Sequence, residues 1–273
     1  MKLHVEIKGQ GEPMLCLHGH PGSSKTMSVF TNVLSQHFRT IAPDLRGYGK
    51  SPAGGKFQMQ DHLADLEELL DKYEIEDCIL LGWSLGGILS LELALRQPQR
   101  FKALIIVASA AYPLSDHPAT SLVELINTGV AGVVSYFQPK WRWSIDLGKK
   151  SLFRYLVASH NPDVYRYLGE QGVPAFLQTS LAANRALATE LSKGYNRLAD
   201  ISSIDIPSLV LAGECDRHIT ADSSEKTAQR LPNCNYICYP NTAHLFPWEI
   251  PDLVNQDILT WLENRELVVS RCS

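Results

Sequence analysis

Apolar positions in this chain fall in short unbroken runs separated by longer stretches of helical period. Leu3-His4-Val5-Glu6-Ile7 alternates and predicts a half-buried strand, turned by Gly9 and Gly11. Met14–Leu17, Thr40–Pro43, Cys78–Leu81, Ala103–Ala108, Ser208–Gly213 and Tyr236–Tyr239 are runs too short for helices; they predict buried strands. Between them the period lengthens. Met27, Phe30, Val33 and Leu34 share one face of a helix spanning residues 25–36, and Leu63, Leu66, Leu69 and Leu70 one face of a helix over 60–73. The stretch 85–97 is apolar through most of its length and stops before Pro98, as a buried helix does. A helix ending near Leu231 and another from Asp252 to Leu267 complete the alternation.

Strands alternating with helices predict an α/β fold: a mostly parallel, twisted sheet with helices on both faces. The alternation stops after Tyr112. From 113 to 205 the chain reads as helical segments rich in Tyr, Trp and Phe, with no long apolar strand run. The expected organisation is a core domain of residues 1–112 and 206–273 and a helical lid inserted at 113–205. The lid should lie over the carboxyl edge of the sheet, because the strands on either side of it end there.

A length of 273 residues, 45% of them hydrophobic, suits one large domain with an insertion. The net charge of −4 lacks the basic footprint of a nucleic-acid binder. No apolar stretch reaches spanning length, and Met1–Gly9 has no signal-peptide core, so no membrane partner and a cytoplasmic location are expected. The six cysteines (16, 78, 215, 234, 238 and 272) are scattered, mostly in apolar runs, without C-x-x-C. Reduced thiols are expected, with neither disulfides nor zinc.

Candidate chemistry centres on Gly82-Trp83-Ser84-Leu85-Gly86, which joins an apolar strand to a buried helix. A G-x-S-x-G in that context places a serine on a sharp turn, with glycines where side chains would collide, and presents the hydroxyl at the sheet's carboxyl end. A serine hydroxyl needs a base, and the base an orienting acid. His244, in Asn241-Thr242-Ala243-His244-Leu245, follows the last strand; His4, His37, His62, His117 and His160 carry no motif. The acid candidate is Asp216 in Gly213-Glu214-Cys215-Asp216-Arg217-His218, with Glu214, nearer the strand end, as the alternative. The order Ser84, Asp216, His244 is that of α/β-hydrolases and not of serine proteases.

On these residues, together with His18-Gly19-His20-Pro21 and Asp44-Leu45-Arg46-Gly47-Tyr48-Gly49-Lys50-Ser51, the chain resembles the lid-bearing esterases and peptidases of the α/β-hydrolase superfamily over nearly its whole length. The resemblance implies acyl transfer to water, with Ser84 as nucleophile, His244 as base and Asp216 orienting the imidazole. It further implies an oxyanion hole made by the backbone N–H groups of His20 and Leu85. His18 and His20 are explained by that loop's backbone geometry, not as metal ligands, and neither metal nor cofactor is expected. The His20 side chain stands where the family often has an apolar residue, and is free to meet a substrate. A serine at the elbow disfavours dehalogenase and epoxide-hydrolase chemistry, which uses aspartate there. Gly-Trp-Ser-Leu-Gly-Gly and Val107-Ala108-Ser109 are similar to pimeloyl-ester carboxylesterases; the Gly-Gly-Ser-Trp-Gly of proline iminopeptidases differs.

The expected function is hydrolysis of a small carboxylic ester through an acyl-enzyme. C–C bond hydrolysis, aminopeptidase activity and a ligand-binding receptor role are the alternatives. Trp83, Trp141 and Trp143 are candidate substrate contacts. Between Gln138 and Arg154, Lys140, Arg142, Lys149, Lys150 and Arg154 face only Asp146. This local excess suits a solvated lid face, or an anionic or carrier-linked ester as substrate.

Overall fold

The computed structural model describes residues 1–138 and 141–267. Lys140 of the basic cluster and Cys272 lie outside them. Seven strands form one sheet: β1 (Val5–Lys8), β2 (Pro13–Leu17), β3 (Arg39–Pro43), β4 (Cys78–Trp83), β5 (Phe101–Val107), β6 (Ser208–Gly213) and β7 (Cys234–Tyr239). Their order is β1-β3-β2-β4-β5-β6-β7, with β1 antiparallel to β3 and every other pair parallel. The continuous apolar runs are explained by two apolar layers. Along each strand, alternate side chains go to opposite faces. Met14, Cys16, Ile79, Leu81, Ile105 and Val107 enter one cluster; Leu15, Leu17, Leu80, Leu104, Ile106 and Val210 enter the other.

The first cluster is closed by α1 (Ser28–Leu34) and by the last long helix, which supplies Val254, Ile258 and Leu262. The second is closed by α2 (Met59–Lys72) and α3 (Leu85–Arg96). The helix expected over 25–36 is divided: Ser24–Met27 forms a 3₁₀ turn before α1 begins. The cause is local. Thr26 Oγ1 accepts from the Ser23 N–H at 3.1 Å and donates to its carbonyl at 2.7 Å, which tightens that turn.

Between β5 and β6 the described residues contain no strand. They form α4 (Leu122–Phe137), α5 (Arg142–Gly148), α6 (Phe153–Leu156), α7 (Pro162–Tyr167), a π turn at Leu168–Gly172, α8 (Val173–Leu177) and α9 (Leu181–Ser192). Tyr155, Tyr165 and Tyr167 are buried and pack this insertion, whereas Tyr136, Phe137, Trp141, Trp143 and Phe176 are exposed. After β6 come α10 (Ala221–Arg230), α11 (Phe246–Glu249) and α12 (Pro251–Glu263); the helix expected from 252 to 267 thus ends earlier. Among the described residues all five cysteines are free, with Cys16 and Cys78 buried and Cys215 and Cys238 exposed.

Candidate active site

Ser84 sits between β4 and α3 at φ 53°, ψ −117°, a backbone conformation costly for a residue with a Cβ. The surroundings over-determine it. Its N–H donates to the Val107 carbonyl at 2.9 Å, and its own carbonyl accepts from Ser109 Oγ at 2.7 Å and the Gly87 N–H at 2.9 Å. The two elbow glycines have different obstacles. A Cβ on Gly82 would lie 2.2 Å from the Gly86 carbonyl oxygen, across the turn, as the sequence suggested. A Cβ on Gly86 would lie 2.0 Å from the Leu17 carbonyl oxygen in β2, so this glycine answers to the neighbouring strand.

His244 reaches the same point from the loop after β7. That loop is fixed by the Ala243 N–H donating to Glu249 Oε1 at 2.9 Å and the Leu245 N–H donating to the Leu156 carbonyl at 2.9 Å. Imidazole Nε2 is 3.2 Å from Ser84 Oγ, and Nδ1 is 2.8 Å from Asp216 Oδ2. The second carboxylate oxygen, Oδ1, accepts from the His218 N–H at 2.8 Å and the Ile219 N–H at 2.9 Å. All three side chains are buried. A carboxylate can only accept here, so Nδ1 carries a proton, and in the neutral ring Nε2 is left to accept from the serine.

Glu214, the alternative acid, is exposed; its Oε2 accepts the Asn241 N–H at 3.0 Å. The Cys215 N–H also bonds the Thr242 carbonyl, at 2.8 Å. Glu214 therefore braces the histidine loop while Asp216 meets the ring.

The first loop comes to the same edge. The His20 and Leu85 N–H groups donate no hydrogen bond to another described residue. The loop is held by His18, whose Nδ1 lies 2.8 Å from the Gly19 carbonyl and whose Nε2 accepts the Leu45 N–H at 3.0 Å. Those partners require the neutral ring, and burial lowers its pKa from the ordinary 6.5 to about 4. Neither nitrogen has a lone pair left for a metal. Asp44 fixes the adjoining backbone, accepting from the Ser24 N–H at 2.6 Å and the Lys50 N–H at 2.7 Å. The His20 side chain has its Nδ1 2.9 Å from the hydroxyl of buried Tyr48. Burial and neighbouring His18 depress its pKa to about 4.

Trp83 lies beside His244, with ring centroids 5.8 Å apart, and packs edge-on against Trp248 at 4.6 Å; Trp248 stacks on Tyr167 of the insertion at 4.1 Å. Trp141 and Trp143 pair with each other at 5.4 Å and are 54% and 48% exposed. Among the described aromatic pairs they touch no residue of the Ser84–His244–Asp216 chain. Sequence reasoning missed Tyr48, Trp248 and His218. The His218 ring stands 4.8 Å from that of His244 and stacks on His117 of the insertion, which in turn stacks on Tyr155. Only its place two residues after Asp216 hinted at this.

Comparison with known proteins identifies the family of the fold. Residues 12–251 match the sequence profile of a family described as alpha/beta hydrolase fold. The pimeloyl-[acyl-carrier protein] methyl ester esterase of Vibrio campbellii is 26% identical over 251 residues, 89% of this chain and 91% of that protein. Its namesake from Aeromonas hydrophila is 37% identical over a shorter stretch of 110 residues, 40% and 42% of the two chains. The structure of a thermophilic esterase from Thermogutta terrifontis superposes with a TM-score of 0.73 at 25% identity, covering 98% of this chain and 94% of the other.

Proposed function

The chain belongs to the α/β-hydrolase fold family and is a hydrolase, and from that premise we propose that it cleaves a carboxylic ester through an acyl-enzyme on Ser84. The observation that carries this reading is the buried chain from Ser84 Oγ to His244 Nε2 at 3.2 Å and from His244 Nδ1 to Asp216 Oδ2 at 2.8 Å. Ser84 Oγ attacks the ester carbonyl carbon as its proton passes to His244 Nε2. The oxyanion that forms is met by the His20 and Leu85 N–H groups, donors of a kind each contributing about 3 kcal/mol to the transition state. His244 then protonates the departing alkoxide. In the second half, water gives His244 a proton and attacks the acyl carbon, releasing the acid and restoring Ser84. Asp216 holds the ring in the tautomer both halves need and faces the charge it acquires.

The insertion, residues 113–205, serves in this reading as a lid, joined to the site through Tyr167 on Trp248 and His117 on His218. The methyl ester esterases among the relatives support an ester as the bond cleaved, and make a carrier-linked acyl ester one substrate to assay. The decisive test is incubation with short-chain nitrophenyl esters and a fluorophosphonate probe. Multiple turnovers and stoichiometric labelling are expected, both lost in Ser84→Ala. Labelling that survives in Ser84→Ala, or a single slow event per site, would overturn the proposal.

A further inference from the structure

Helix α4 is turned inside out. At 100° per residue its exposed positions fall within one arc of about 160°. Leu122, Val123, Ile126, Val130, Val133 and Phe137 occupy that arc, 39% to 73% exposed. Its polar side chains point the other way. Glu124 pairs with Arg154, Asn127 Nδ2 donates to the Lys150 carbonyl at 2.9 Å, and Thr128 Oγ1 accepts the Leu152 N–H at 3.0 Å. Ser135 Oγ meets Ser144 Oγ at 3.4 Å. A helix on an ordinary soluble surface has the reverse arrangement, and a contiguous apolar face of this kind marks an interaction site.

The border of the face says what kind. Helix α5 packs against α4, and Arg142 at its start and Lys149 and Lys150 just past its end are all exposed, against one exposed carboxylate on the helix, Asp146, 3.7 Å from Lys149. Half-exposed Trp141 and Trp143 stand at the start of α5. We propose that this face docks on an anionic lipid surface, with the α4 side chains in the acyl boundary, the two tryptophans at headgroup level and the cations on the phosphates. A second copy of the chain suits it less well, because isologous pairing would bring the same cations face to face. A soluble acidic protein would satisfy the cations and leave the large apolar side chains poorly matched. No described helix is long and apolar enough to cross a membrane; lying on one requires no such helix. Docking here would open the cleft toward amphiphilic esters. That consequence rests on the hydrolase reading, whereas the docking itself does not.

The test is co-sedimentation of the whole protein with vesicles of phosphatidylcholine alone or mixed with phosphatidylglycerol, read without any turnover. Binding to the mixed vesicles is expected, weakening as salt rises. Ile126→Asp combined with Val133→Asp should lower it at least tenfold. Lys149→Glu with Lys150→Glu should lower it on mixed vesicles only, by about fivefold for each cation lost (about 1 kcal/mol each). Far-UV circular dichroism and short-chain esterase activity, unchanged in both variants, show that the fold is intact. Three results would each overturn the proposal: no vesicle binding by the unaltered protein, binding indifferent to Ile126→Asp with Val133→Asp, or sedimentation showing a dimer that the aspartates dissolve while vesicles go unbound.

Discussion

Asp216→Asn tests how the site holds its base, and the structure dictates how the new amide must sit. Carboxylate Oδ1 accepts two backbone N–H groups, from His218 at 2.8 Å and Ile219 at 2.9 Å. Only an oxygen can occupy that position. The asparagine therefore places its carbonyl there and its NH₂ where Oδ2 stood, 2.8 Å from His244 Nδ1. Two N–H groups cannot face each other at that distance, so the ring gives up its Nδ1 proton and carries it on Nε2 instead. A protonated Nε2 donates to Ser84 and cannot take its proton. The same trap in a serine protease costs about 10⁴-fold in kcat, which is about 5.5 kcal/mol of barrier. We expect a loss of that order in kcat on a nitrophenyl ester, with KM nearly unchanged because the side chain at 216 is buried and bonds only His244 and its own loop. The matched control is Glu214→Gln, whose side-chain oxygen still accepts the Asn241 N–H; it should keep kcat within an order of magnitude. If Asp216→Asn kept kcat within tenfold, or if its deficit lay wholly in KM, the tautomer argument would fail.

The elbow offers two tests of opposite sign. Ser84→Gly relieves a backbone at φ 53° worth about 1–3 kcal/mol and gives up less than that in chain entropy and one hydrogen bond; the inactive variant should melt no lower than the parent, and a midpoint several degrees lower counts against stored strain. Gly86→Ala, which in an unobstructed helix would stabilise by about 1 kcal/mol, should instead destabilise by about 3 kcal/mol in urea melts, because its Cβ meets the Leu17 carbonyl oxygen at 2.0 Å. Stability should also fall in mild acid. Burial holds His18 and His62 near a pKa of about 4, below the ordinary 6.5 of the unfolded chain. Between those values the unfolded state binds more protons, so stability drops as pH falls, by up to about 1.4 kcal/mol per unit for each such ring, and His20, His160 and His218, also held low by burial, add to the slope. His62→Gln should make the slope of urea stability against pH between 6.5 and 4 shallower by up to about 1.4 kcal/mol per unit, and a flat profile in the parent would contradict both assignments.

What could be read from the chain alone was whatever is local. The parallel strands declare themselves because burial on both faces leaves no polar position in runs such as Ile79-Leu80-Leu81, and the elbow does because its strand, turn and helix are contiguous. Choices between neighbours were not local. Asp216 and Glu214 are two residues apart, and what separates them is which one meets a ring 28 residues away. That His20 Nδ1 meets Tyr48, from a different loop, could not be read from either segment alone. Helix α4 shows the boundary most plainly. Its period is legible: Glu124, Asn127, Thr128 and Ser135 recur at helical spacing and so share a side. Periodicity says which residues share a face, and says nothing of which face turns inward. The usual assumption, apolar side in, fails because the rest of the insertion presents Arg154, the Lys150 carbonyl, the Leu152 N–H and Ser144 to this helix. Burying the apolar side there would strand those groups, at a cost of about 1–3 kcal/mol for each one unsatisfied. Satisfying them turns six large apolar side chains outward, and that orientation is the reason to look for a partner on this face.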